Sequence, residues 1–300
     1  MTQKMTRAID PQLNNKRPAE HIGIANEVDR AFVVCADDFG IESGVDAAII
    51  ALAQAQRLSA TGCLVTAERF AQAAPALLEV PVDVGLHLNF TEYLGTPGLY
   101  KPLGTLIALS YSRRLSRAEV RVQIETQLDL FERHLKRAPD FVDGHLHVHQ
   151  FPIIRDELLD VLKRRYAGNL PWLRDTKPAT LSSALPFMQR FKAHVIGALG
   201  SRALVRHAKQ AGAMVNHGFM GAYDFSRPHP PYFEMLGEWL KYAGENSVLM
   251  THPAQYASAA LAFGGDRVEE YRVLSSDGFI DLLRQHHLRV ARLSLLDHKI

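Results

Sequence analysis

Ala31-Phe-Val-Val-Cys-Ala36 is an unbroken apolar run that stops at Asp37-Asp38, and this construction returns along the chain. An apolar run without alternation suits a strand covered on both faces, the usual condition of parallel sheets flanked by helices. Comparable runs predict strands at residues 60–65, 82–88, 141–142, 170–173, 213–216, 247–251 and 288–293. Helical spacing fills the intervals. Val45, Ala48, Ile49 and Leu52 mark a helix over 44–56, and further helices are expected over 69–79 and 276–285. Ser116-Arg-Ala-Glu119 is a capping box that opens a long helix to residue 135. Another helix starts at Pro152, where a first-turn proline costs no hydrogen bond. Residues 92–112, rich in Gly, Pro and Tyr without clear periodicity, read as a long functional loop.

About seven strand–helix alternations predict an α/β fold whose parallel sheet closes or nearly closes, a distorted TIM-like (β/α) barrel. No linker or internal repeat interrupts it, so residues 31–300 are expected to form a single domain behind a flexible tail over 1–30. With 34 Lys and Arg against 32 Asp and Glu, the net charge is +2, which argues against a dedicated nucleic-acid binder. The two cysteines, Cys35 and Cys63, lie in apolar runs, so no disulfide framework is indicated and a cytoplasmic location fits. No signal-peptide core and no apolar stretch of about eighteen residues is present, which predicts no transmembrane segment.

In folds of this kind, functional side chains gather at the carboxyl ends of strands. Four predicted strand ends carry them here. They are Asp37-Asp38, the stretch from His87 through Asn89 and Thr91 to Glu92, Asp143 with His145, His147 and His149, and Thr251-His252. Adjacent acids at a strand end can divide two tasks, one holding a metal while the other takes a proton from water. Histidines at alternating positions 145, 147 and 149 share one face if the segment stays extended. A metal needs only one or two of them, leaving the rest to orient ligands or touch substrate. His134, His194, His207, His286 and His287 fall in helix-like segments and are read as surface or packing residues.

Three motifs occur in order: Ala-Asp-Asp-Phe-Gly at 36–40, Gly-Leu-His-Leu at 85–88, and Asp-Gly-His-Leu-His-Val-His-x-x-Pro at 143–152. Leu173-Arg174, Thr251-His252-Pro253, and Arg267 with Glu270 and Leu274 follow them. Over residues 31–293 the chain resembles the YdjC family of carbohydrate deacetylases, also called the ChbG/HpnK family. That resemblance implies a distorted barrel holding one divalent ion through Asp38, His87 and His145. It implies Asp37 as general base, His252 as general acid and Arg174 as a contact to substrate or intermediate. His147 and Thr91 complete the expected substrate contacts. The chain has Gly144 where many members have Ser, and Leu146 where many have His. Residues 178–226 match less closely, and substrate choice is expected there and in 92–112.

One carboxylate and two imidazoles suit Zn²⁺, Co²⁺ or Ni²⁺, and Mg²⁺ or Mn²⁺ with added waters; the resemblance itself brings in Mg²⁺. The expected substrate is an N-acetylated amino sugar, either an oligosaccharide or a glycolipid precursor, and the resemblance is compatible with a homodimer. Two other readings stay open at this point. One is a metal-dependent hydrolase of the amidohydrolase type, and the other is a non-catalytic carbohydrate-binding relative.

Overall fold

A computed structural model describes residues 29–225 and 228–296. Residues 1–28, most of the predicted tail, lie outside the described residues; Arg30, expected in that tail, instead begins the first strand. The strands are β1 (Arg30–Phe39), β2 (Ala60–Cys63), β3 (Asp83–Leu88), β4 (Phe141–Gly144), β5 (Trp172–Leu173), β6 (Phe219–Met220), β7 (Val248–Thr251) and β8 (Leu288–Val290). The helices are α1 (Ser43–Gln54), α2 (Phe70–Ala73), α3 (Leu103–Tyr111), α4 (Arg117–Leu135), α5 (Ile154–Arg165), α6 (Phe187–Ala198), α7 (Ser201–Ala211), α8 (Tyr232–Leu240), α9 (Gly264–Leu274) and α10 (Asp277–Gln285).

All strand pairs are parallel, in the order β5-β4-β3-β2-β1-β7-β6. The TIM-like expectation is met in part. β8 pairs with Arg30–Phe32 at the start of β1 and does not extend the path. The path's two ends are linked by isolated bridges from Leu173 to Val215 and from Pro178 to Phe219, so the sheet curls into a distorted barrel without regular eightfold lacing.

Alternate residues of the strands separate two apolar layers. Val33, Cys35, Phe141, Trp172, Phe219, Val248 and Met250 pack inside the curl, with Phe141 and Trp172 stacked at 4.3 Å. Phe32, Val34 and Ala36 face the other way, into the larger layer beneath the helices. This double burial is why the strands read as continuous apolar runs. At the lower end of the curl, Asp83 accepts hydrogen bonds from the Trp172 indole, Arg292 and the Ser294 N–H.

Four expectations change. Within the predicted loop 92–112, Leu103–Tyr111 is a helix that fully buries only Leu106 and Ser110, too few positions to produce a visible period. The helix predicted over 69–79 breaks into α2 and a 3₁₀ segment, Ala74–Glu79, at Pro75, which lacks the N–H a continuous helix needs. The strand predicted at 213–216 is displaced to Phe219–Met220. There the Asn216 side chain takes over the pairing, accepting the Asp175 N–H and donating to the Asp175 and Gly218 carbonyls. The histidine run is also not extended: His145–Gln150 is a 3₁₀ turn with Leu146 and His147 in left-handed conformations (φ 53° and 61°).

Candidate metal and active site

Asp37 and Asp38 sit in an irregularity of β1. Ala36 pairs with Thr61 and Phe39 with Cys63, so three steps on β1 match two on β2. The extra residue is accommodated with Asp38 at φ 70°, a conformation that Asp tolerates better than most side chains. A regular strand would send neighbours to opposite faces; this bulge turns both carboxylates toward one cavity of about 1130 Å³, which they line together with His87, Glu92, His145, His147, His252 and Arg267.

His87 stands directly across the β3–β4 ladder from Asp143, and its Nδ1 lies 2.8 Å from Asp143 Oδ1. Its Nε2 is thereby aimed at the acids, 3.6 Å from Asp38 Oδ1 and 3.9 Å from Asp37 Oδ2. Gly62 on β2 leaves the space for this ring; a Cβ there would come within 3.1 Å of His87 Nδ1. His145, the first residue after β4, places Nδ1 3.1 Å from Asp38 Oδ1 and Nε2 3.3 Å from Glu92 Oε1. The second oxygen of Asp38 accepts from Arg267 Nη2 at 2.6 Å.

Asp38, His87 and His145 fit one divalent ion. Ligands bound about 2.0–2.2 Å from a common ion stand roughly 3–3.6 Å apart, and the Asp38–His145 and Asp38–His87 separations of 3.1 and 3.6 Å match this. The electrostatics agree. Burial opposes ionisation of Asp38, yet Arg267 and His145 outweigh it and hold the carboxyl well below the usual range. Burial likewise opposes charge on His145, but Asp38 and Glu92 raise its pKa to about 10, so this point in the fold favours a cation. A second cluster, Asp37, His87 and Asp143, has suitable atoms as well. There the positive charge is already supplied: Arg174 donates to both Asp37 oxygens at 2.6 Å and ion-pairs with Asp143 at 2.7 Å.

The family described as YdjC-like protein matches residues 31–285. The chain belongs to the YdjC-like protein family. Among curated relatives, the carbohydrate deacetylase of Homo sapiens is 24% identical over 89% of this chain and 91% of its own length. The chitooligosaccharide deacetylase of Proteus mirabilis is 30% identical over 40% of this chain. The chain spans about half the length of that bacterial relative. A crystal structure of an Enterococcus faecalis protein assigned to cellobiose-phosphate cleavage superposes with a TM-score of 0.64 at 16% identity, covering 88% of this chain and 97% of that one. This last likeness shows the fold.

The remaining predicted residues of this YdjC-like protein are placed as follows. His252, at the end of β7, lines the cavity edge-on to Phe225. Burial and the nearby Arg267 outweigh Asp38 and take its pKa down to about 4, so the ring is neutral at neutral pH. Its backbone N–H donates to Glu270, which also accepts from Tyr223. His147 lines the cavity against Phe219. His149 turns away and donates from Nε2 to the Arg174 carbonyl. Arg174, predicted as a substrate contact, is fully buried beneath the cavity and does not line it. Thr91 does not line it either; its N–H caps Asn89 Oδ1.

The sequence reading gave no role to Asp143, Glu92 or Arg267. Asp143 and Arg267 lie in quoted motifs, and Glu92 closes the His87 strand end. A carboxylate within reach of His87 and of His145 is the signal that finds Asp143 and Glu92, because metal-binding imidazoles usually donate their other N–H to such a group; Arg267 is found only through its contact with Asp38.

Proposed function

We propose that this protein is a metal-dependent deacetylase that hydrolyses the N-acetyl group of an N-acetylated amino sugar. The observation that carries the reading is the division of labour on β1: Asp38 joins His87 and His145 at 3.1–3.6 Å spacing, while Asp37 faces the same cavity on an arginine clamp. The names of the human and Proteus relatives support the substrate class. A divalent ion held by Asp38, His87 and His145 supplies Lewis acidity for the acetyl carbonyl and the attacking water.

The chain's own residues do the rest. Asp37 accepts the water's proton; Arg174 engages both of its oxygens but leaves further lone pairs free, so the clamp orients the carboxylate without blocking it. Arg174 is accordingly a positioning residue. His252, neutral at rest, takes up the proton that Asp37 has removed from the water and delivers it to the departing amine, so the proton passes from water to leaving group. Arg267 fixes Asp38 through Oδ2 and leaves Oδ1 toward the two histidines. Asp143 and Glu92 orient His87 and His145.

The test is acetate release from a panel of N-acetylated sugars by chelator-treated protein, with Mg²⁺, Mn²⁺, Co²⁺, Ni²⁺ or Zn²⁺ added back. Release restored by a metal is expected. Acetate release unaffected by chelation would remove the metal from the reading, and no release with any ion would remove the deacetylase assignment.

A further inference from the structure

We infer that the protein carries a second ligand site, a cationic groove along α7 that takes a small phosphomonoester. A cavity of about 620 Å³ lies between α7 and the segments that follow β5 and precede β6. Lys177, Arg202, Lys209 and His217 line it, all four exposed, and among the described residues none of their side chains has a hydrogen-bond or ion-pair partner. Arg202, Val205 and Lys209 fall three and then four residues apart, which sets them on one face of α7. Other surface arginines are paired: Arg165 with Asp129 and Glu132, Arg272 with Glu269, and Arg284 with Asp281. The whole chain holds 34 Lys and Arg against 32 Asp and Glu, so composition does not account for this local excess. The acid in the lining, Asp175, is itself buried, and its Oδ1 already accepts from the Lys177 N–H and the Ser201 hydroxyl.

A cleft lined by one sign of charge focuses its field on what enters it. A phosphate group brings about two negative charges at neutral pH. An arginine fork can hold it bidentately, with lysines acting as point charges beside it. Pro178, Val205 and Val215 give the lining an apolar side, which suits the organic part of a monoester. The volume falls within the range of about 300–1,000 Å³ common for small-molecule sites. The frame is fixed by its backbone: Pro178 is bridged to Phe219, the His217 N–H donates to the Asn246 carbonyl, and the Asn216 side chain ties Asp175 to Gly218. Among the described residues, none lines both this groove and the catalytic cavity, so a ligand held here is not the group hydrolysed there.

The experiment is calorimetric titration of metal-loaded protein, at physiological ionic strength, with phenyl phosphate, inorganic phosphate and phenol. Phenyl phosphate is expected to bind at one equivalent and about tenfold more tightly than inorganic phosphate, with no binding of phenol. Arg202→Gln and Lys209→Gln should each weaken it by about tenfold, and Arg202→Lys by less. Arg284→Gln, which removes a paired cation on α10, should leave it unchanged. These positions are exposed, and circular dichroism checks that the variants fold. Absence of binding, equal affinity for the two phosphates, or unchanged affinity when Arg202→Gln and Lys209→Gln are combined overturns the inference. Binding that those variants retain and a chelator removes would place the phosphate on the catalytic metal, and overturns it as well. The readout involves no acetate release, so its outcome is independent of the deacetylase reading.

Discussion

Asp143 is closed off from solvent, yet two groups of the site depend on it. It orients His87 through Nδ1 and balances Arg174, which in turn clamps Asp37. Burial disfavours its charge, but Arg174 and His87 more than compensate and hold the carboxyl below its ordinary range. Asp143→Asn keeps the shape and removes the charge. The expected result is metal affinity weaker by about 10- to 100-fold and stability lower by about 3 kcal/mol, read by metal titration and denaturant unfolding. Unchanged affinity would mean that His87 needs no orienting carboxylate. At this scale the sequence pointed to most of the acids and imidazoles that line one cavity, because they recur at the strand ends. It did not show depth. Arg174 and His252 are both polar residues after strands; only the packed structure puts one beneath the cavity floor and the other on its wall.

The elements that carry the site were legible wherever burial is two-sided and long. β1, β3 and β4 follow their apolar runs, and the Ser116 cap is formed, its side chain accepting the Glu119 N–H. Legibility failed where side chains or special backbone replace regular pairing, as with Asn216 beside β6 and the left-handed pair Leu146–His147. That turn is braced from behind by the α6–α7 junction. Gly200 adopts φ 126°, and a Cβ there would lie 2.2 Å from the Gln150 carbonyl oxygen. Gly200→Ala should therefore cost stability by about 2 kcal/mol or more and weaken metal binding by displacing the His145 turn. Thermal melts and metal titration check both, and a melt matching the parent would show that the junction yields freely.

For the molecule as a whole, the cluster behind His252 couples stability to pH. Burial raises the Glu270 carboxyl from its ordinary 4.5 to about 7, against the opposing hydrogen bonds from His252 N–H and Tyr223. The folded form thus binds a proton that the unfolded chain has released, so the contribution is fully present below about pH 4.5 and lost as pH rises through 7. At about 1.4 kcal/mol per unit, the span amounts to about 3 kcal/mol. Glu270→Gln, whose carbonyl oxygen can accept the His252 N–H while its amide N–H donates to the Tyr223 hydroxyl, should flatten that slope, and the variant's stability relative to the parent should rise between pH 4.5 and 7. Parallel stability–pH curves would refute it. The same fold joins this cluster to the catalytic cavity through β7, with Arg267 of α9 reaching Asp38 and His252 lining the same cavity.

The most direct test of the whole account is acetate released per equivalent of bound metal in Asp37→Asn beside His87→Ala. Asp37→Asn is expected to keep its metal and lose turnover by about a hundred- to ten-thousand-fold, while His87→Ala loses the metal itself. Near-parental turnover in Asp37→Asn, or full metal occupancy in His87→Ala, would contradict the division of roles between the two neighbouring acids on β1.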